Sequence, residues 1–224
     1  MLQALVDAYE HYDVGCVYPN GCVDPSCNTQ ERDFPVSGMG QEWMSEPPGR
    51  VLDIGCRESW VPEILVDADY DVVGIDMREL DRKKDEHDFL FIQGDFTTIK
   101  HDALQPYSFD IITATSSIEH FGLGAYGETV REDGDIRAVV RAGNLLKLGG
   151  LFYLTVPTGT HLVTDHFRRY TEEALHGRLL KYFSIVKMVP YERYGKKYEK
   201  DPFKVTHGAD VEMVAVLRRL QETV

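Results

Sequence analysis

The chain has 224 residues, 43% of them hydrophobic and 27% charged, which suits one globular domain with a sizeable core. Its 37 acids against 24 bases leave a formal net charge of -13, a field that repels phosphate backbones and sets nucleic acid aside as a default partner. No apolar stretch nears the roughly 20 residues of a membrane span, the start MLQALVDAYEHYD lacks the marks of a signal peptide, and four cysteines make no disulfide framework; the reading is a cytoplasmic protein.

In chain order, Leu2 to Tyr12 predicts a short helix. Residues 16–40 hold three prolines and several glycines without a sustained period, and read as a loop or excursion. Gln41 to Ser45 restarts a helix that Pro47-Pro48-Gly49 ends. Residues 1–49 thus read as a cap on the domain that occupies residues 50–224. From Arg50 onward, short apolar runs alternate with amphipathic stretches. Strands are expected at 51–54, 72–75, 89–92, 109–114 and 151–156, and helices at 61–67, briefly after Asp76, and at 135–146. A helix then begins near Thr171, which can cap it, with Glu172 and Glu173 at the positive end of the helix dipole. Two last strands follow, 182–191 and 211–217, joined by an exposed hairpin connection. Continuous apolar runs between helices predict a doubly wound α/β fold, a mostly parallel seven-stranded sheet with helices on both faces and an antiparallel edge.

The stretch "VLDIGCRESW", residues 51–60, places Gly55 at the carboxyl edge of the first sheet strand. A dinucleotide fingerprint would need small residues where Arg57 and Ser59 stand, so a nicotinamide or flavin cofactor is disfavoured. The phosphate-loop signature is absent from the sequence. S-adenosylmethionine carries no phosphate and asks for one tight turn, a carboxylate for its ribose diol, and an acceptor beside an apolar face for its adenine. Asp53 and Gly55 shape such a turn, with Cys56 as a small residue beside the ligand. Asp76, closing "VVGID" and followed by Met77, can accept from both ribose hydroxyls. Asp95 and Phe96 in "IQGDF" suit the adenine, and Thr115 and Ser116 in "ATSSIEH" offer small polar groups. Plainer readings stand beside these: Asp76 as a helix cap, Asp95 as a turn acid and Phe96 as a core ring.

These pieces, in this order over about residues 50–217, resemble the class I, Rossmann-like, SAM-dependent methyltransferases. "DIGCRESWVPEIL", "SSIEHFGLGAYG" and "EDGDIRAV" are also similar to a poorly characterised methyltransferase branch linked to surface-polysaccharide and lipid-linked sugar pathways, which tolerates non-glycine residues at the Arg57 and Ser59 positions. The resemblance implies S-adenosyl-L-methionine as cofactor and methyl transfer to a small-molecule acceptor, in that branch a sugar or lipid-linked saccharide hydroxyl. It places Glu119 and His120 where catalytic or substrate groups occur. His120 can act as general base or simply pack under the cofactor. His166 is the second choice for a substrate-site group, in a loop with His161, Asp165 and Tyr170. Arg168 and Arg169 can hold an anionic acceptor, or be solvated or serve at the helix entry. Phe121, Tyr126 and Phe167 can wall an acceptor pocket or belong to the core.

His11, Cys16, Cys22 and Cys27 lack the two-residue spacing of zinc knuckles, so no metal is expected. Two rival readings remain. One is an RNA or protein methyltransferase using a basic surface from Lys196, Lys197, Lys200 and Lys204. The other is a non-catalytic interaction protein whose pocket Arg57 fills.

Overall fold

The computed structural model describes residues 15–17, 23–28, 49–59, 61–80, 88–192, 200–206 and 211–220. Near the start, strand β1 (Gly15–Val17) pairs antiparallel with β2 (Val23–Asn28), Val17 lying opposite Val23. This corrects the loop expected over residues 16–40. A three-residue strand is too short to display an alternating period, and Pro25 within β2 argues against a strand by propensity. The helices expected at 2–12 and 41–45 lie outside the described residues.

The main sheet is built from the apolar runs. Arg50–Ile54 (β3), Asp71–Asp76 (β4), Leu90–Gln93 (β5), Phe109–Thr115 (β6) and Leu146–Pro157 (β7) run parallel, with Leu52 registered between Val73 and Ile112. Beyond β7, two short strands, β8 (Leu162–Val163) and β9 (Arg168–Arg169), form a separate antiparallel ladder. Phe183–Glu192 (β10) and Val211–Arg219 (β11) then complete the sheet in the order β10-β11-β7-β6-β3-β4-β5. β11 is antiparallel to both neighbours and inserts between β7 and β10. The seven strands and the antiparallel edge agree with the sequence expectation. β7 begins earlier than expected, at Leu146, where it pairs with Phe109 before its register shifts.

Both faces carry helices. Helix α1 (Val61–Asp67) places Val61 and Leu65 in one cluster with Val51, Val72 and Ile111. Helix α2 (Gly134–Leu145) turns Ala138, Val139, Ala142 and Leu145 to the opposite face, against Leu52, Ile112, Phe152 and Leu154. Helix α3 (Glu172–Ala174) is capped as expected by the Thr171 hydroxyl, which accepts from the Ala174 N–H, and it widens into a π-helical turn over Leu175–Leu180. That turn buries Leu175, Leu179 and Leu180 on the α2 face. Each large side chain so buried contributes about 1.5–3 kcal/mol to folding. Residues 77–80 after Asp76 are not helical, and 81–87 lie outside the described residues. Among the described residues, no helix is long and apolar enough to cross a membrane.

Asp110 fastens the base of the sheet. Burial alone would raise its pKa. The Lys147 ammonium, 2.7 Å away, and the Arg50 N–H, 2.8 Å away, outweigh that and hold the carboxyl below its usual value. A depressed folded-state pKa gives stability present above the unfolded value of about 4 and lost as pH falls further. Asp110→Asn is therefore expected to lower the melting temperature at neutral pH and to reduce its fall between neutral and acid pH. Parallel pH-melting curves for the two proteins would reveal no difference if the bond contributes nothing.

Candidate functional site

Neighbouring strands β3 and β6 are separated in sequence by β4 and β5, so their connections leave the sheet in opposite directions. A crevice opens past their carboxyl ends, where ligands sit in open α/β sheets. The cleft there, counted with the solvent-open space at its mouth, spans about 540 Å³.

One wall is the turn after β3. Gly55 has φ +82°, donates its N–H to the Ile75 carbonyl at 2.8 Å and leads into a 3₁₀ turn over Cys56–Glu58. A Cβ at Gly55 would lie 2.6 Å from the Ser117 Cβ, so both the left-handed backbone and the close approach require glycine. Ser117 in turn donates to the Ile54 carbonyl at 2.9 Å, joining the ends of β3 and β6.

Asp76, at the end of β4, is buried but lines the cleft. Its Oδ1 accepts from the Arg78 N–H at 2.9 Å and its Oδ2 from the Arg57 N–H at 3.2 Å. Two main-chain donors thus hold the carboxylate in place, with the Arg78 Nε as a longer third donor to Oδ1 at 3.4 Å, and Oδ2 keeps a second lone pair. Met77 lines the cleft beside it. The Arg78 guanidinium lies 3.4 Å from Asp76 and 4.4 Å from the centre of the Tyr126 ring, closing one side of the mouth. The sequence reading missed Arg78, although its place two residues after a strand-end acid was a usable signal.

Asp95 and Phe96 follow β5 and also line the cleft. Asp95 Oδ1 accepts from both the N–H and the hydroxyl of Thr97, at 2.8 and 2.7 Å, so the turn-acid role is present in full. Phe96 is nearly inaccessible and meets Phe121 edge to face at 6.3 Å. It is both a core ring and a cleft wall.

The fourth side comes from the segment after β6. Ser116, at φ +44°, donates its hydroxyl to Glu119 Oε1 at 2.7 Å, while its N–H is held by the Thr155 hydroxyl at 2.7 Å. His120 lines the cleft with Nε2 3.6 Å from Glu119 Oε1. Its ring packs edge to face against Tyr126 and His166, the three centres lying 5.0–5.6 Å apart. Glu128, unforeseen in the sequence, accepts from the Gly124 and Tyr126 N–H groups at 2.7 and 3.1 Å and so shapes this loop.

Five of the expected cofactor or catalytic groups lie outside the cleft lining; one is Glu119, which is buried and holds the Ser116 hydroxyl from behind. Asp53 is buried in β3, where it accepts from the Thr113 hydroxyl at 2.6 Å. Cys56 is buried against β4, with Sγ 2.8 Å from where a Gly74 Cβ would stand. Thr115 is buried at the end of β6, and the His166 ring is exposed outside the His120 ring. Asp53 follows strand alternation: its side chain points to the opposite face from that of Ile54, which lines the cleft, whereas Cys56 lies past the strand in the 3₁₀ turn and is packed against β4.

Arg168 and Arg169 are neither solvated nor aimed at an acceptor. Both are buried. Arg168 Nη1 donates to the Phe121 carbonyl at 2.6 Å and the Glu119 carbonyl at 3.3 Å, and Nη2 reaches the Arg131 and Glu132 carbonyls at 3.5 Å. One guanidinium thus collects both limbs of the loop that carries His120 and Tyr126. Arg169 ties the Thr160 carbonyl, at 2.7 Å, to the Thr206 carbonyl, at 3.3 Å. Behind Arg168, the fully buried Asp135 accepts from Tyr170 at 2.9 Å and from Arg178 at 2.8 and 3.1 Å. Burial, then the charges of Asp135 and Glu119, push the Tyr170 phenol well up, so it stays a donor. The hydrogen bond to Asp135 leads in holding Arg178 charged.

Arg57 does not plug the crevice. Its Nε donates to the Glu79 carbonyl at 3.0 Å, away from the cleft lining. Arg57→Ala keeps the main-chain N–H that Asp76 uses. Its affinity for S-adenosylhomocysteine is expected to stay within about twofold of the parent; a large gain by calorimetry would mean that the side chain obstructs the site. No cluster of metal-ligating side chains occurs among the described residues.

Comparison with solved structures agrees with this architecture. A crystal structure of 1,6-didemethyltoxoflavin-N1-methyltransferase from Burkholderia thailandensis, with 1,6-didemethyltoxoflavin and S-adenosylhomocysteine bound, is 14% identical, covers 98% of this chain and 87% of its own, and superposes with a TM-score of 0.62. The N-methyltransferase NodS from Bradyrhizobium japonicum, in complex with S-adenosylhomocysteine, is 15% identical over 97% of this chain and 100% of its own, at 0.58. A TehB-like SAM-dependent methyltransferase from Corynebacterium glutamicum is 15% identical over 85% and 87%, at 0.53. At such identities the likeness carries the fold, which is the Rossmann-like methyltransferase fold. No curated protein matches the chain. A family model described as "Caenorhabditis protein of unknown function, DUF268" matches residues 54–199, most of the sheet and the whole cleft lining. The chain is therefore a member of the DUF268 family.

Proposed function

We propose that this protein is a methyltransferase that uses S-adenosyl-L-methionine to methylate a small-molecule acceptor, with a sugar or lipid-linked saccharide hydroxyl as the acceptor class. One observation carries the reading. Gly55, Asp76, Asp95 and Phe96 come from three separate strand ends and line one cleft at the switch point of the sheet. The cleft's charges favour it too: Asp76, Asp95 and Glu128 oppose Arg78, a lining that suits a cationic sulfonium better than a pyrophosphate. The relatives with bound S-adenosylhomocysteine share this fold.

The cofactor supplies an activated methyl group and a neutral thioether as leaving group. The chain's residues have the remaining tasks. Asp76 accepts from the ribose hydroxyls, and Phe96 and Met77 flank the adenine. Ser116 and His120 line the acceptor end with Glu119 buried behind them, and His120 takes the hydroxyl proton as the new C–O bond forms and the C–S bond breaks. Alignment and exclusion of water by the Arg78–Tyr126 side of the mouth account for most of the acceleration. A screen of nucleotide sugars, polyols and small RNAs for methyl transfer from labelled S-adenosylmethionine tests the proposal. Transfer to a sugar is the expected result. Transfer to RNA alone would overturn the acceptor class, and absence of any S-adenosylhomocysteine binding would overturn the whole reading.

A further inference from the structure

His120 Nδ1 lies within hydrogen-bond distance of the main-chain carbonyl of His166. A carbonyl oxygen can only accept, so the ring must donate there, and a neutral imidazole has a single N–H. Neutral His120 therefore carries its proton on Nδ1 and presents Nε2 as an acceptor, on the side of Glu119.

The direction of that carbonyl is itself fixed. In a trans peptide plane the N–H and C=O point opposite ways, and the described residues contain no cis peptide. The His166 carbonyl shares its plane with the Phe167 N–H, which donates to Thr164 Oγ1 at 2.9 Å. The same oxygen accepts the His166 N–H at 3.1 Å, and the Thr164 hydroxyl donates to the Phe167 carbonyl at 3.2 Å. Anchoring the Phe167 N–H at Thr164 turns the His166 carbonyl the other way, toward His120.

We propose that Thr164 is a positioning residue: through the His166 carbonyl it fixes the proton of neutral His120 on Nδ1 and keeps Nε2 as the proton acceptor at the cleft. His166 takes part through its main chain, while its imidazole packs against the His120 ring. The tautomer stands independently of the proposed reaction; only the source of the proton that Nε2 receives rests on that reading.

Nitrogen-15 NMR of histidine-labelled protein reads the tautomer directly. The chain has eight histidines, and a His120→Gln variant identifies the signal. At the neutral end of its titration, His120 is expected to show the Nδ1–H pattern in the parent and in Thr164→Ser. Thr164→Val, which has no acceptor for the Phe167 N–H, is expected to lose that pattern in favour of the Nε2–H form or a mixture. An Nε2–H ring in the parent overturns the proposal, as does a ring that holds both protons wherever the protein stays folded. An unchanged pattern in Thr164→Val removes Thr164 from the role. Should that variant fail to fold, Thr164→Ala replaces it under the same criteria, and the parent spectrum alone decides the proton position. A titration of the same samples with S-adenosylhomocysteine keeps the two proposals apart, because Thr164 does not line the cleft and its variants should bind like the parent.

Discussion

Asp76→Ala is expected to weaken S-adenosylhomocysteine binding by tenfold or more, roughly 1.4 kcal/mol, the scale of one lost charge-assisted bond. The carboxylate lines the cleft while its oxygens accept from the Arg57 and Arg78 N–H groups. Its loss removes the proposed ribose acceptor and also loosens the turn after β3. Asp76→Asn separates these effects: one amide oxygen keeps an acceptor for a main-chain donor, but the anion is gone. Its affinity should fall between those of the parent and the alanine variant. Calorimetry gives the affinities and thermal melts the cost to the turn. Equal affinity in all three proteins would remove the ribose assignment.

The largest loss of stability is expected for Asp135→Ala. Asp135 is fully buried and accepts from Tyr170 and twice from Arg178, with Arg168 Nε 4.0 Å away. Removing one member of a buried ionic group leaves the others without compensation, at a cost of about 3–5 kcal/mol. In a chain of this size that corresponds to a fall in melting temperature on the order of 10 °C. Asp135→Asn, which keeps an acceptor for the Tyr170 hydroxyl, should lose less. A loss below about 1 kcal/mol for the alanine variant, measured by denaturant unfolding, would mean that the cluster is not an energetic centre.

Much of the fold was legible because buried parallel strands advertise themselves as continuous apolar runs. The stretches at 51–54, 72–75 and 109–114 became strands within one residue at each end. The turn at Gly55 and the acid at Asp76 were legible for a related reason: a residue at a strand end or next after it has little choice of position. What the sequence hid was contact over long separations. Asp135 and Arg178 stand 43 residues apart, and nothing local joins them. Arg168 read as a holder of an anionic acceptor or as a solvated, helix-entry residue, because arginines are seldom buried, whereas four carbonyls turned inward make a buried site for it. Side-chain direction was the other gap. Asp53 within β3 and Cys56 in the turn after it have suitable chemistry, yet both are buried away from the cleft lining.

The Arg168 grip has a bearing on redesign. It grasps the loop by its main chain, at Glu119, Phe121, Arg131 and Glu132, so the path of the loop is indifferent to most of the side chains it displays. The exceptions are Gly122, where a Cβ would stand 2.3 Å from the Arg131 oxygen, Gly124 and Gly127 with their positive φ, and Glu128, whose carboxylate holds the Gly124 and Tyr126 N–H groups. A library varied at Leu123, Ala125 and Tyr126, with those four residues and Arg168 left alone, can therefore explore new ligands without surrendering the scaffold that presents them.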